Sequence, residues 1–200
     1  MFVAAALTFS ASGARIDGLR DAALSWHLPP RVDLIRGLRL CMDASRRSPL
    51  RVKIAREVMR TNQRIDAVDA LLLGATVFDA ARERKLPPQF LAATLLQESA
   101  FDPRALSAAG AVGIAQFTVP TAAEYGVDPW DTDSAIDGAA RLLSAYLYDY
   151  RDSDDPYASA LAAYNAGPGT VAAYHGVPPY RETRDYITDV RDRWSRMVGR

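Results

Sequence analysis

The sequence predicts an all-α fold, and three observations carry that expectation. Apolar residues recur every three or four positions in one short segment after another, which is the spacing of a helix with one buried face. No alternation of period two persists, so at most a small hairpin is expected. Proline and glycine clusters stand between the segments, where they end helices and make turns. The chain has 200 residues, 49% hydrophobic and 24% charged. That is ordinary globular usage, long enough to bury a core without staples.

The elements follow in order. Ile16, Leu19 and Ala23 form a first stripe, stopped by Pro29-Pro30, and Val32, Ile35, Leu38 and Met42 form a second. Val52, Ala55 and Met59 give a third, with Pro49 near its start. Ala67 to Arg84 is a longer periodic run closed by Pro87-Pro88. Phe90 to Ser99 comes next, with Pro88 suited to a first helical turn, where its missing N–H costs nothing. Asp102-Pro103 breaks that helix, and Ser107 to Phe117, rich in Gly and Ala, reads as a loop. Ala135 to Tyr150 and Tyr157 to Tyr164 are amphipathic. Asn165 to Gly169 reads as a sharp turn, and Glu182 to Val198 as the last helix.

Composition excludes several function classes. One cysteine, Cys41, rules out an internal disulfide framework and a multi-Cys zinc site. Two histidines, His27 and His175, argue against a His-rich metal site. No run approaches the roughly 18 apolar residues of a membrane span. The net charge of zero hides an asymmetry. Residues 1–66 hold 12 Lys+Arg against 6 Asp+Glu (+6), and residues 67–200 hold 12 against 18 (−6). The second part is therefore a poor nucleic-acid binder. The Arg-rich first part reads as a solvated helical face able to touch an anionic surface. Met1 to Phe9 is mostly apolar and is followed by small residues, as in a secretory signal cleaved near Gly13. It lacks a basic n-region, so a truncated signal or a first structural element fits it as well.

Glu98 is the strongest local oddity. Leu91, Leu95 and Glu98 stand at i, i+4 and i+7, so a carboxylate lies on the apolar stripe of its own helix. It also sits near the helix C-terminus, where the dipole disfavours an anion. Both effects raise a pKa, as a carboxylic acid that donates a proton near neutral pH requires. On this helix alone, a residue at the wet edge of the stripe or capping a neighbouring turn is the preferred explanation of Glu98. Gly110 and Gly113 next to Gln116 combine close backbone approach with an amide that can donate and accept. Tyr164-Asn165 precedes a glycine turn, an ordinary way to end a helix.

Taken together and in this order, the segments resemble the lytic transglycosylase domain of the soluble-lytic-transglycosylase type, in the goose-lysozyme-like superfamily. The matching pieces begin with Gln97-Glu98-Ser99 and Phe101-Asp102-Pro103. Ser107-x-x-Gly110-Ala111-x-Gly113-x-x-Gln116-Phe117 and Pro120-x-Ala122 follow, then Asp128-Pro129-Trp130-Asp131. Ala162-Ala163-Tyr164-Asn165-Ala166-Gly167 and Pro178-Pro179-Tyr180-x-Glu182-Thr183-x-x-Tyr186 complete the set. The resemblance covers roughly residues 67–194. Ile114-Ala115 stands where the family often has Leu-Met, an apolar change expected to alter packing or subsite shape. Residues 1–66 match nothing recognised and are expected to form a helical N-terminal extension before a lysozyme-like domain over 67–200.

The resemblance implies a cleft for the glycan strand of peptidoglycan and a place in the periplasm or cell envelope. Glu98 falls on the family's catalytic acid. Ser107, Gln116, Tyr164, Asn165 and Tyr186 fall on positions that line the cleft, each with structural support of the cleft as the alternative role. Asp102, Asp131 and Glu182 read as turn or cap residues. The implied product is a 1,6-anhydromuramic acid end, formed without water, metal or cofactor. Two readings stand beside it: a muramidase on the same fold, with Asp102, Glu124 or Asp128 as second carboxylate, and a non-catalytic wall-binding module of a secretion or conjugation apparatus.

Overall fold

Proline opens helix after helix in this chain. Pro49, Pro88, Pro156 and Pro168 each take the first position of one, where the fixed φ is already helical and no intrahelical N–H is lost. Asp66, Asp131 and Asp155 cap three helices by accepting backbone N–H bonds from Val68 and Asp69, Ser134 and Ala158 respectively. The computed structural model describes residues 48–199. Among these, the helices are α1 (Pro49–Thr61), α2 (Ala67–Glu83), α3 (Pro88–Ser99), α4 (Val119–Glu124), α5 (Thr132–Asp149), α6 (Pro156–Ala166), α7 (Pro168–Ala173) and α8 (Arg181–Val198). The stripes at 16–23 and 32–42, the signal-like start, Cys41 and His27 lie outside the described residues.

Helix α3 runs through the middle. Every residue from Phe90 to Leu96 is buried, the signature of a helix enclosed on all sides. The Thr94 hydroxyl is satisfied within the helix by donating to the Phe90 carbonyl at 3.1 Å. Phe90 meets Tyr157 of α6 edge to face, with centroids 5.0 Å apart, and Trp194 of α8 at 5.1 Å. Tyr157 and Trp194 are 4.8 Å apart, so one aromatic cluster ties α3, α6 and α8 together. Helix α8 presents Thr183, Tyr186, Ile187, Val190 and Met197 inward.

Strands β1 (Ala111–Val112) and β2 (Phe117–Thr118) pair antiparallel, Ala111 opposite Thr118 and Val112 opposite Phe117. This is the small hairpin that the sequence allowed. The short helices α4 and α7 were not expected. Each has six residues, too few to show a periodicity, and each is nucleated by its start: Thr118 caps α4, and Pro168 opens α7. Asn165 and Ala166 remain inside α6, and the turn comes at Gly167 (φ +88°).

Helix α1, grouped by sequence with an N-terminal extension, packs into the same core. Ile54, Ala55 and Val58 are fully or almost fully buried, against α2. Gly74 of α2 makes that approach possible: a Cβ there would lie 2.7 Å from the Arg51 carbonyl oxygen and 3.0 Å from the Ala55 nitrogen. The change at residue 66 is thus a change of motif, with no gap in packing beside it. Replacing Gly74 with Ala gains helix propensity of up to about 1 kcal/mol but forces two backbones apart, at about 1–3 kcal/mol. Gly74→Ala is expected to lower the denaturant midpoint; an unchanged or raised midpoint by circular dichroism would show that α1 can move aside freely.

Candidate active site

Glu98 sits in the last turn of α3. The helix stops immediately after it because Ala100 takes a left-handed conformation while its N–H still bonds to the Leu96 carbonyl at 3.0 Å. The side chain before Glu98 locks the helix end to α8. Gln97 accepts from Arg193 at 2.8 Å and donates to Asp189 at 3.4 Å. The side chain after it, Ser99, donates to the Ile114 carbonyl at 2.8 Å and so joins the helix end to the hairpin loop.

The carboxyl of Glu98 accepts a hydrogen bond from the Tyr186 hydroxyl on α8. Burial pushes the carboxyl up to about 8, and the Tyr186 bond, which favours the ionised form, only partly opposes this. The residue keeps part of its surface open. It is a carboxyl set deep in protein yet reachable from solvent, neutral through most of the physiological range. Burial, followed by the proximity of Glu98, holds the Tyr186 and Tyr164 phenols well above the ordinary phenol range. Both therefore remain hydroxyl donors.

Tyr164, almost completely buried on α6, donates to the Ala115 carbonyl at 2.9 Å. Its ring also packs on Phe117, centroids 6.3 Å apart. Gln116 has φ +51°, and its amide donates to the Gly113 carbonyl at 2.8 Å and the Ala105 carbonyl at 3.3 Å. The loop also needs Gly113 itself (φ +73°), where a Cβ would lie 2.0 Å from the Pro129 carbonyl oxygen. Ser107 accepts from the Ala111 N–H at 2.9 Å. Asn165 is buried, and its side-chain oxygen has no partner among the described residues.

The six residues singled out from sequence thus divide. Glu98 and Tyr186 are in direct contact, and Tyr164 stands close enough to feel the charge of Glu98. Ser107 and Gln116 shape the hairpin loop through backbone bonds, and Asn165 is buried with its side-chain oxygen unpartnered among the described residues. Sequence reasoning did not find the backbone carbonyls of Ala115 and Ile114, which no side-chain pattern encodes, nor the role of Ser99. Asp102 accepts from the Arg104 N–H at 2.9 Å and Asp131 caps α5, the turn and cap roles expected of them. A cleft of about 330 Å³ has Tyr164, Phe117, Glu124, Tyr146 and Thr170 in its walls. A larger cavity of about 650 Å³ lies between α2 and the start of α5, with Ile114 in its wall and six acidic residues around it. Glu98 lines neither of these two cavities; the smaller one reaches its surroundings through Tyr164. Among the described residues no cluster of His, Cys, Asp and Glu is placed to hold a metal ion.

The family model for the transglycosylase SLT domain matches residues 75–187. The membrane-bound lytic murein transglycosylase F 1 of Alkalilimnicola ehrlichii is 37% identical over 121 residues, covering 54% of this chain and 24% of that protein. A lytic murein transglycosylase F of Desulfosudis oleivorans is 40% identical over 87 residues, covering 42% and 19%. The chain spans about a quarter or less of the length of these relatives. An inactive glutamate-to-glutamine mutant of the lytic transglycosylase Slt from Pseudomonas aeruginosa has a similar structure. The TM-score is 0.53 and the identity 25%, over 92% of this chain and 33% of that one.

The raised carboxyl has a consequence for stability. A carboxyl at about 8 in the folded chain, against an ordinary 4.5, keeps a proton that the unfolded chain releases between those pH values. Stability contributed at this site therefore falls as pH rises from about 4.5 to about 8 and is level above that. Glu98→Gln lacks this linkage. Its melting temperature relative to the parent is expected to climb through that window and then plateau. A difference that stays flat between pH 4 and pH 9 would show that the carboxyl titrates normally.

Proposed function

Since the chain belongs to the transglycosylase SLT domain family, we propose that it cleaves peptidoglycan glycan strands as a lytic transglycosylase, with Glu98 as its single acid and base. The observation that carries this reading is the buried Glu98 carboxyl answered by the Tyr186 hydroxyl. Protonated Glu98 donates to the glycosidic oxygen between N-acetylmuramic acid and N-acetylglucosamine, and the C1–O bond breaks. The 2-acetamido carbonyl oxygen of the muramic residue supports the positive charge at C1, the substrate-assisted course known among glycoside-cleaving enzymes. Glu98, now a carboxylate, takes the proton of the C6 hydroxyl as that oxygen bonds to C1. The carboxyl returns to its starting state and no water is consumed.

One group can serve both steps only if neither of its forms is strongly favoured at working pH. Burial supplies the neutral form, and Tyr186 stabilises the anion left after the first transfer. Tyr164 acts through the Ala115 carbonyl to hold the hairpin loop against the acid. The buried oxygen of Asn165, unpartnered among the described residues, is an acceptor suited to an N–H or O–H that arrives with substrate or an ordered water. The relatives' names place them at membranes and on murein, which supports action in the cell envelope. No helix among the described residues is long and apolar enough to cross a membrane.

Two experiments test the reaction. Digestion of purified peptidoglycan in ¹⁸O-labelled water is expected to give 1,6-anhydromuramic ends without label. Labelled reducing ends would make water the acceptor and turn attention to Glu124, which lines the cleft beside Tyr164. Glu98→Gln, the kind of change that inactivated the structural relative, is expected to lose at least the ~10²–10⁴-fold of general acid catalysis. Near-parental turnover in a folded variant would remove Glu98 from the mechanism.

The pH profile tests Tyr186. Activity needs protonated Glu98 and is expected to fall through an alkaline limb near pH 8. Removing the bond that favours the anion raises the carboxyl further, so Tyr186→Phe is expected to move this limb to higher pH. A limb moved to lower pH would mean that Tyr186 favours the neutral acid.

A further inference from the structure

The turn that follows Glu98 is held in an uncommon backbone state. Ala100 and Phe101 are consecutive non-glycine residues with positive φ, 54° and 60°. L residues take that conformation only where their surroundings impose it. The Phe101 ring is fully buried, so the turn cannot invert without pulling the ring from the core. Its backbone carbonyl accepts from the side-chain amide of Asn62 at 3.2 Å.

Asn62 is the residue that ends α1, and it is 8% exposed. Its side-chain oxygen accepts from the Arg64 N–H at 3.1 Å, so both ends of the amide are engaged. Swapping them would set a donor against the Arg64 N–H and an acceptor against the Phe101 carbonyl, so only one orientation satisfies both. The same turn is tied on its other side by Ser99, which bonds the Ile114 carbonyl and accepts from the Asp102 N–H at 3.2 Å. The end of α3 is thus pinned between the hairpin loop and α1. Asn62 precedes the stretch matched by the family model, residues 75–187.

We propose that Asn62 is a positioning residue for the reaction: its amide fixes the Ala100–Phe101 turn and thereby sets Glu98 in register with Tyr186. It touches no reacting atom and acts through the backbone three residues beyond the acid. The proposal rests on Glu98 being the proton donor. If the turn relaxes, the last turn of α3 frays, and the carboxyl moves relative to the Tyr186 and Tyr164 hydroxyls, the titratable groups that face it. Displacement of a catalytic group by about 1 Å can cost ~10²-fold in rate.

The test uses the full chain with Asn62→Asp, which keeps the acceptor for Arg64 and the side-chain size but loses the donor to Phe101. Asn62→Gln keeps both functions, displaced by one methylene, and is the variant to use should Asn62→Asp fail to fold. On purified peptidoglycan, kcat is expected to fall at least about tenfold, with KM within about twofold of the parent. A readout independent of turnover is the titration of the Glu98 carboxyl, followed by NMR of ¹³C-labelled glutamate and assigned by its loss in Glu98→Gln. It is expected to move toward the ordinary carboxylate range by about one pH unit, because relief of burial, the larger cause of its raised value, outweighs loss of the Tyr186 bond. A folded variant with parental kcat and an unmoved Glu98 titration, even if it melts earlier, overturns the proposal and leaves Asn62 a structural cap. An inactive parent whose Glu98 titration still shifts in the variant would instead refute the proposed reaction while leaving the positioning role intact.

Discussion

One carboxyl at the end of an enclosed apolar helix sets the constraints on the rest of this fold. An ionised carboxylate in that place is costly, so burial favours the neutral form of Glu98, and Tyr186, 88 residues away in sequence on another helix, gives it a hydroxyl donor. Everything that brings that donor to the acid must be rigid. The cluster of Phe90, Tyr157 and Trp194 fixes α8 on α3. The bonds from Gln97 to Arg193 and Asp189 repeat the attachment one residue from the acid. An apolar interface and a polar clasp thus specify the same register.

The hairpin loop answers the acid from the other side by a different device. Its side chains are spent mainly on the loop itself: Ser107 and Gln116 bind backbone groups within it, and Gly113 lets it lie against Pro129. The loop then offers two carbonyls outward, Ile114 to Ser99 and Ala115 to Tyr164. Both receiving side chains lie in sequence pieces that carry the family resemblance, Gln97-Glu98-Ser99 and Ala162 to Gly167. A backbone carbonyl is well suited to this use, because a substitution in the loop can change packing without removing the acceptor.

Much of this was legible in sequence, and what was not has physical causes. Long periodic stripes mark α2, α3, α5 and α8 because each must hide one face or more, and Asp66, Pro88 and Asp131 stand at the starts of the first three. Glu98 stood out for a related reason: a carboxylate on an apolar stripe demands an explanation. The helices α4 and α7 left no stripe because six residues make fewer than two turns. The contacts of Tyr164, Ser99 and Asn62 were invisible because their partners are main-chain carbonyls, which every residue carries. The packing of α1 on α2 was also unreadable, since Gly74 within a helix reads from sequence only as a weak point. Its purpose appears when another backbone is found against it.

The same arithmetic explains why so many restraints converge on a few residues. A neutral buried acid makes the folded chain less stable as pH approaches the carboxyl's own titration, and two consecutive left-handed residues after it add backbone strain. Neither feature could persist if the helix end were free to fray, because fraying would hydrate the carboxyl and release the turn together. The fully buried Phe101 ring, the Ser99 bond and the Asn62 bond each oppose that one motion. The strain is therefore held by packing from three directions: the core, the hairpin loop and α1. Helix α1 thus belongs to the support of that turn, because removing it would free one side of the backbone that follows Glu98.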